Sequence, residues 1–250
     1  TVRRGFAPSS INTTGNTGWT LPISLGWERY YPHPKRSGKA MNSGRPYLKN
    51  SLINHLLWPF RNLPENYVVL DTETTGLFDE SGAPGIVTIG IVEVSNGKAV
   101  KANEYAVRPH RQMTNEASQI NGIGDQQAQS FPTFTSQRPD IRANLSDHLV
   151  VIHNAIFDWP LLIEHVMRYG VNEPSILGVF CSQRAAQPWA QAMGLKCSDR
   201  GPSLDTLTEA TGVHNFRSDL DGIHSASKDA KQTAEVVEAL RRFKQSEEES

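Results

Sequence analysis

From residue 67 to residue 107 the apolar positions come in compact runs, not in a helical period. Residues 67–70, 86–94 and 99–107 each read as a strand. Between the second and third runs, Asn96-Gly97 is a two-residue hairpin signal, because both positions tolerate positive φ. A further apolar run at 149–152 has the length of a buried strand. Elsewhere the helical period predicts helices at 115–120, 160–169, 203–211 and 225–243. In the last of these, Val236, Val237, Leu240 and Phe243 fall on one face. Pro160 stands where a first helical residue is favoured, and Gly170 where a helix is left. An early antiparallel hairpin followed by strand–helix units predicts a mixed α/β fold.

Ahead of residue 66 the pattern changes. Residues 1–47 carry no sustained period, and 9–18 is a Ser/Thr/Asn/Gly-rich loop. A short helix is expected at 48–58, with Leu48, Leu52 and Leu56 on one face and Pro59 ending it. Charge divides the chain at the same place. Residues 1–65 hold nine Lys/Arg against two acids, Glu28 and Glu65, whereas the rest holds 16 against 24. Aromatics (Trp27, Tyr30, Tyr31, Tyr47) are interleaved with cations (Arg29, Lys35, Arg36, Lys39, Arg45). That mixture suits single-stranded nucleic acid; it equally suits an arm packed on the body or on a protein partner. The expected organisation is a basic, turn-rich N-terminal arm (1–65), an acidic body (66–245) and an acidic tail (246–250).

Composition removes several classes. A chain of 250 residues, 38% apolar and 20% charged, is neither disordered throughout nor collagen-like. No apolar run approaches the roughly 18 residues of a membrane span. The first 30 residues lack an apolar signal core, so secretion is not expected. Two cysteines, Cys181 and Cys197, argue against a disulfide scaffold and fit a reducing, cytoplasmic location. There is no Gly-x-x-x-x-Gly-Lys-Ser/Thr run, so an ATP-driven motor is unsupported.

Three places carry candidate chemistry. The first strand runs into Asp71-Thr72-Glu73-Thr74-Thr75-Gly76-Leu77. Side chains alternate along a strand, so Asp71 and Glu73 share a face. Two acids there call for a neutralising hard cation, unless the strand end is simply solvated. The second place is His153-Asn154-Ala155-Ile156-Phe157-Asp158, where Asp158 is either a functional acid or the cap of the helix from Pro160. In the third, His224 stands at the mouth of the last helix with Asp229 five residues on. An exposed histidine can act as a general base near neutral pH.

In order and spacing these three segments resemble the three motifs of the DEDDh, or DnaQ-like, 3′→5′ exonucleases. The resemblance runs from about Tyr67 to Phe243 and is closest to the epsilon proofreading subunit of bacterial replicative polymerase and its stand-alone relatives. Ile120-Asn121-Gly122-Ile123, Phe131-Pro132-Thr133-Phe134 and Ser203-Leu204-Asp205-Thr206-Leu207 also look familial. It implies a ribonuclease H-like mixed sheet with flanking helices. It further implies two Mg²⁺ (or Mn²⁺) ions and hydrolysis of phosphodiesters at a nucleic-acid 3′ end. Carried over, Asp71 would bridge both metals. Glu73 and Asp229 would bind the one that activates water, Asp158 would act mainly through metal-held water, and His224 would take the attacking water's proton. Thr72, Thr74, Thr75, Gly76, Leu77 and Asn154 would hold the terminal nucleotide, with Leu77 against its base. Single-stranded DNA is the expected substrate; RNA 3′ ends or short oligonucleotides are the alternative. A non-catalytic binding module on the same fold is the alternative of another class. A polymerase or other protein could dock through residues 1–65. Departures are Asn121, where relatives often carry His, Thr88, where an acid often sits, and the acidic run Asp219-Leu220-Asp221 before His224.

Overall fold

The structure is a computed structural model and describes residues 59–80, 82–220 and 222–246. The expected 48–58 helix, nearly all of the basic arm and residues 247–250 lie outside the described residues. After a 3-10 turn at Pro59–Asn62 come β1 (Asn66–Thr74), β2 (Ile86–Ser95) and β3 (Lys98–Ala106). Three helices follow: α1 (Asn115–Asn121), α2 (Asp125–Gln129) and α3 (Phe134–Leu145). Then come β4 (Leu149–Ile152), α4 (Ala155–Arg168), β5 (Gly178–Cys181) and α5 (Ser182–Ala192). A small hairpin, β6 (Cys197–Ser198) and β7 (Gly201–Pro202), precedes α6 (Leu204–Thr211). A 3-10 segment, Phe216–Leu220, leads to the last helix, α7 (Ala226–Ser246).

The main sheet has the order β3-β2-β1-β4-β5. β1, β2 and β3 form an antiparallel meander, and β4 and β5 add parallel to β1. The hairpin expected at Asn96-Gly97 is present, with φ of 49° and 70° at its two turn residues. β1 is central and covered on both faces, which is why its apolar run is continuous instead of alternating. Tyr67 and Val69 enter one core cluster, with Leu207 of α6 and Val236, Val237 and Leu240 of α7. Val68 and Leu70 enter the other, with Ile141 of α3 and Leu161 and Leu162 of α4. Across the first cluster Tyr67 donates its hydroxyl proton to Glu238 Oε1 at 2.8 Å, tying the buried β1 to α7.

Proline misled the sequence reading at the start of one helix. The helix expected at 160–169 begins at Ala155, so Pro160 is its sixth residue and Asp158 lies in the first turn, not at the cap. α3 and α5, which the sequence pattern did not suggest, also hold prolines, Pro139 and Pro188. Each proline lies in the second turn of its helix, where it removes one backbone donor, and each helix nonetheless continues past it. Gly170 follows the end of α4 with φ of 58°, the left-handed exit expected of it.

Candidate active site

The alternation of β1 continues past its apolar half and decides where the acids go. Asp71 and Glu73 follow Tyr67 and Val69 onto the α7 face. Thr72 follows Val68 and Leu70 onto the α4 face, where its hydroxyl donates to Asp158 Oδ1 at 2.6 Å. β4 runs parallel beside β1, with Leu70 opposite Ile152, so α4 starts next to the carboxyl end of β1. The turn into α4 is tight: Asn154 adopts φ 67°, ψ 46°, and its buried Oδ1 has no hydrogen-bond partner among the described residues.

α7 brings the third segment in at very close range. A Cβ on Gly90 would lie 2.2 Å from the carbonyl carbon and oxygen of Ala226, so only glycine admits this approach. Gly90 is opposite Asp71 in the β1–β2 register and opposite Glu104 in the β2–β3 register. Glu104 Oε2 accepts from the Ser225 hydroxyl at 2.7 Å and the Ser227 N–H at 2.9 Å, which caps α7 from a neighbouring strand. From the other side, the Ile120 carbonyl accepts the His224 N–H at 2.9 Å. Asn121 is buried, donates to the Thr74 carbonyl at 3.4 Å and accepts from the Ile123 N–H at 3.1 Å. At this position the side chain links the end of β1 to the turn that follows α1.

As a result Glu73, His224 and Asp229 each present a ligand atom within 4.8 Å of the others. Asp71 and Asp158 border this trio electrostatically. Burial, and then the charges of Asp158, Asp229 and Glu73, hold the Asp71 carboxyl well above the usual carboxylate range. Burial, then Asp229, pushes Glu73 up to about 8, with Arg217 opposing. Asp158 is pushed up to about 7 by burial, against the Thr72 hydrogen bond. His224 is shifted down by burial and by the Arg217 charge, against the pull of Asp229, and so favours the neutral imidazole. Its Nδ1 stands 3.4 Å from Asp229 Oδ2. Thr88, the cross-strand partner of Glu73, is buried with its hydroxyl unpaired among the described residues. Several raised carboxyls and an orphaned hydroxyl at one point form a donor set that fits a hard divalent cation.

The residues expected to hold a nucleotide divide into two groups. Thr72 and Thr75 use their hydroxyls inside the protein, on Asp158 and on the Gly85 N–H at 2.9 Å. The Thr74 hydroxyl donates to the Gly76 carbonyl at 2.7 Å. Leu77 is 75% exposed, and its neighbour Phe78 meets Phe157 edge-on with centroids 5.5 Å apart. These apolar groups lie along the chain next to the acids, Leu77 beyond the end of β1 and Phe157 immediately before Asp158. His153 is buried and pushed down to about 4, with Nδ1 on the Ser182 hydroxyl at 3.1 Å. The acidic run before His224 is partly engaged, since Asp219 lies 3.0 Å from His214 and 3.6 Å from Lys228.

Two residues at the site escaped the sequence reading, Arg217 and Glu104. Arg217 donates from Nε to both Asp229 oxygens, at 2.9 and 3.2 Å, and from Nη2 to Oδ2 at 2.8 Å. Its Nη1 reaches Asp205 Oδ1 at 2.8 Å. Neither residue stands in a motif; both reach the site only through tertiary contacts.

The sequence matches the family model described as Exonuclease over residues 68–237. The epsilon subunit of DNA polymerase III from Rickettsia prowazekii is 32% identical over 180 residues, covering 72% of this chain and 75% of that protein. The PolC-type DNA polymerase III of Thermotoga maritima is 29% identical over 170 residues, which is 68% of this chain but 11% of that protein. The chain thus spans about a tenth of the PolC-type relatives it matches. In fold it is similar to exonuclease X solved with 5′-overhanging duplex DNA, at 23% identity and a TM-score of 0.52, covering 71% of this chain and 92% of that one. The chain belongs to the Exonuclease family and is homologous to the epsilon subunit of DNA polymerase III. Enzymes of this class work with divalent metal ions. No helix among the described residues is long and apolar enough to cross a membrane.

Proposed function

We propose that this domain removes nucleoside monophosphates from the 3′ end of DNA, with Asp71, Glu73, Asp158 and Asp229 holding two Mg²⁺ or Mn²⁺ ions. The observation that carries this reading is the convergence of Glu73, His224 and Asp229, with ligand atoms within 4.8 Å, beside two further buried-side carboxyls. Bound cations would make a water more acidic and stabilise the departing 3′ oxygen. The chain's own groups do the rest. His224, largely neutral and a third exposed, accepts a proton from the attacking water on the ring nitrogen that faces away from Asp229. Asp229 holds the other side of that ring and sets its orientation. Thr72 fixes the rotamer of Asp158. Exposed Leu77 and the Phe78–Phe157 pair offer an apolar surface to the terminal bases. The place of the chain among polymerase III epsilon and PolC sequences supports DNA as the polymer and correction of 3′ ends as the task. The net positive charge of residues 1–65 supports a grip on the strand ahead of the domain.

The test is a time course on a 5′-labelled DNA strand with Mg²⁺, Mn²⁺ or EDTA, beside a matched RNA and a 3′-recessed duplex. A ladder shortening from the 3′ end only with metal, fastest on DNA, is expected. Faster loss of RNA would reassign the substrate, and no cleavage of any strand by folded, metal-supplied protein would remove the catalytic reading.

A further inference from the structure

We propose that Arg217 is a built-in counter-ion that competes with the divalent cation for Asp229, so that its withdrawal is part of loading the site. The inference rests on the metal-dependent reading above. Asp229 is 3% exposed, and both of its oxygens are taken up by the Arg217 fork at 2.8–3.2 Å. Oδ2 also faces His224 Nδ1 at 3.4 Å. A guanidinium stays charged at any working pH, so Arg217 cannot discharge to make room. A cation sharing this carboxylate would sit against a fixed positive charge. An ionised carboxylate only accepts hydrogen bonds, so a donor at Asp229 is expected, but a guanidinium brings a full positive charge with its donors and lowers the carboxylate's basicity toward a cation.

Arg217 also has the means to leave. It sits in the Phe216–Leu220 segment, none of whose residues is buried. Its second anchor, Asp205 in the first turn of α6, is 59% exposed. Asp205 can keep the Arg217 charge partnered after the fork lets go of Asp229. While the fork is in place, Arg217 sets a positive charge against Asp229 at the edge of the cluster that Asp229 forms with Glu73 and His224. The one side chain therefore keeps the acid cluster tolerable without metal and raises the threshold for metal to enter.

The full chain, free of nucleic acid, is titrated with Mn²⁺ in a calorimeter as wild type and as R217Q, and each is melted in EDTA. R217Q should bind Mn²⁺ about tenfold more tightly, or better, through removal of the facing charge. It should also melt lower in EDTA and gain more from Mn²⁺. An arginine that merely orients Asp229 gives the reverse, a weakening of about 10–100-fold, and that or unchanged affinity overturns the proposal. Should R217Q not fold, R217K keeps the charge but cannot span both oxygens, and it must still bind Mn²⁺ more tightly than wild type; equal or weaker binding overturns the proposal. If neither wild type nor variant binds Mn²⁺, the metal-dependent reading falls together with this one. If wild type binds and the variant is no tighter, this inference alone falls.

Discussion

At Asp71 and Glu73 burial and like charge act in the same direction, at Asp158 burial acts against hydrogen bonds, and each of the three holds its proton more tightly than a free carboxyl. In the metal-free protein an ionised Asp71 is therefore a source of instability, not of support. Asp71→Asn keeps the shape and removes the charge. It should abolish metal-dependent cleavage while raising the melting temperature in EDTA at pH 8; a lower melting temperature would show that Asp71 holds the fold together. The pairing of Asp71 with Glu73 was legible in the sequence, because strand alternation alone puts them on one face. Arg217 was not legible. It is seven residues ahead of His224 in a loop whose local charge is acidic, and nothing in a one-dimensional pattern aims its guanidinium at Asp229.

Among the elements, α7 decides whether there is a site, and Gly90 decides how closely α7 approaches. A methyl group at Gly90 meets backbone atoms at 2.2 Å, and a backbone cannot swing aside as a side-chain tip can. Gly90→Ala should destabilise the fold by about 3 kcal/mol, the upper range for overpacking, and push Ala226 away from β2. His224 and Asp229 would move with it, so cleavage should fall even at temperatures where the variant remains folded. Gly124→Ala, where nothing lies within 4 Å of the new atom, is the matched control and should be near neutral by chemical denaturation. β1 to β4, the hairpin and the helices at 115, 203 and 225 were readable from period and turn chemistry, whereas the four-residue edge strand β5 and the two-residue β6 and β7 are too short to show a pattern. The start of α4 was hidden by Pro160, because a proline reads as a boundary while the packed helix runs through it, and α3 and α5 were not read at all.

For the molecule as a whole, two sets of groups oppose each other as pH changes. Folding raises Glu73 from 4.5 to about 8 and Asp158 from 3.8 to about 7. The folded chain binds more protons than the unfolded one across that window, so metal-free stability falls as pH rises through it. His165 does the opposite. It accepts the Ile86 N–H on Nε2 at 3.1 Å, meets the Leu161 carbonyl through Nδ1 at 3.0 Å, and is pushed down from 6.5 to about 4 by burial. There the unfolded chain binds more protons, so stability is lost as pH falls from 6.5 toward 4. The two raised carboxyls outweigh the one histidine, so the melting temperature in EDTA should fall from pH 6 to pH 8, and Mg²⁺ or Mn²⁺ should lift the alkaline limb selectively; equal lifting at pH 5 and pH 8 would contradict this balance. The placement of α7 also matters during synthesis. Asp71 and Glu73 are made early, but their remaining neighbours, His224 and Asp229, arrive with the helix that also covers the β1–β3 face. A growing chain stopped before Ala226 holds Asp71, Glu73, Asp158 and His224 but lacks Asp229, and its sheet is uncovered. On the ribosome, the acids of β1 wait for α7 to be made before the cluster they belong to can close.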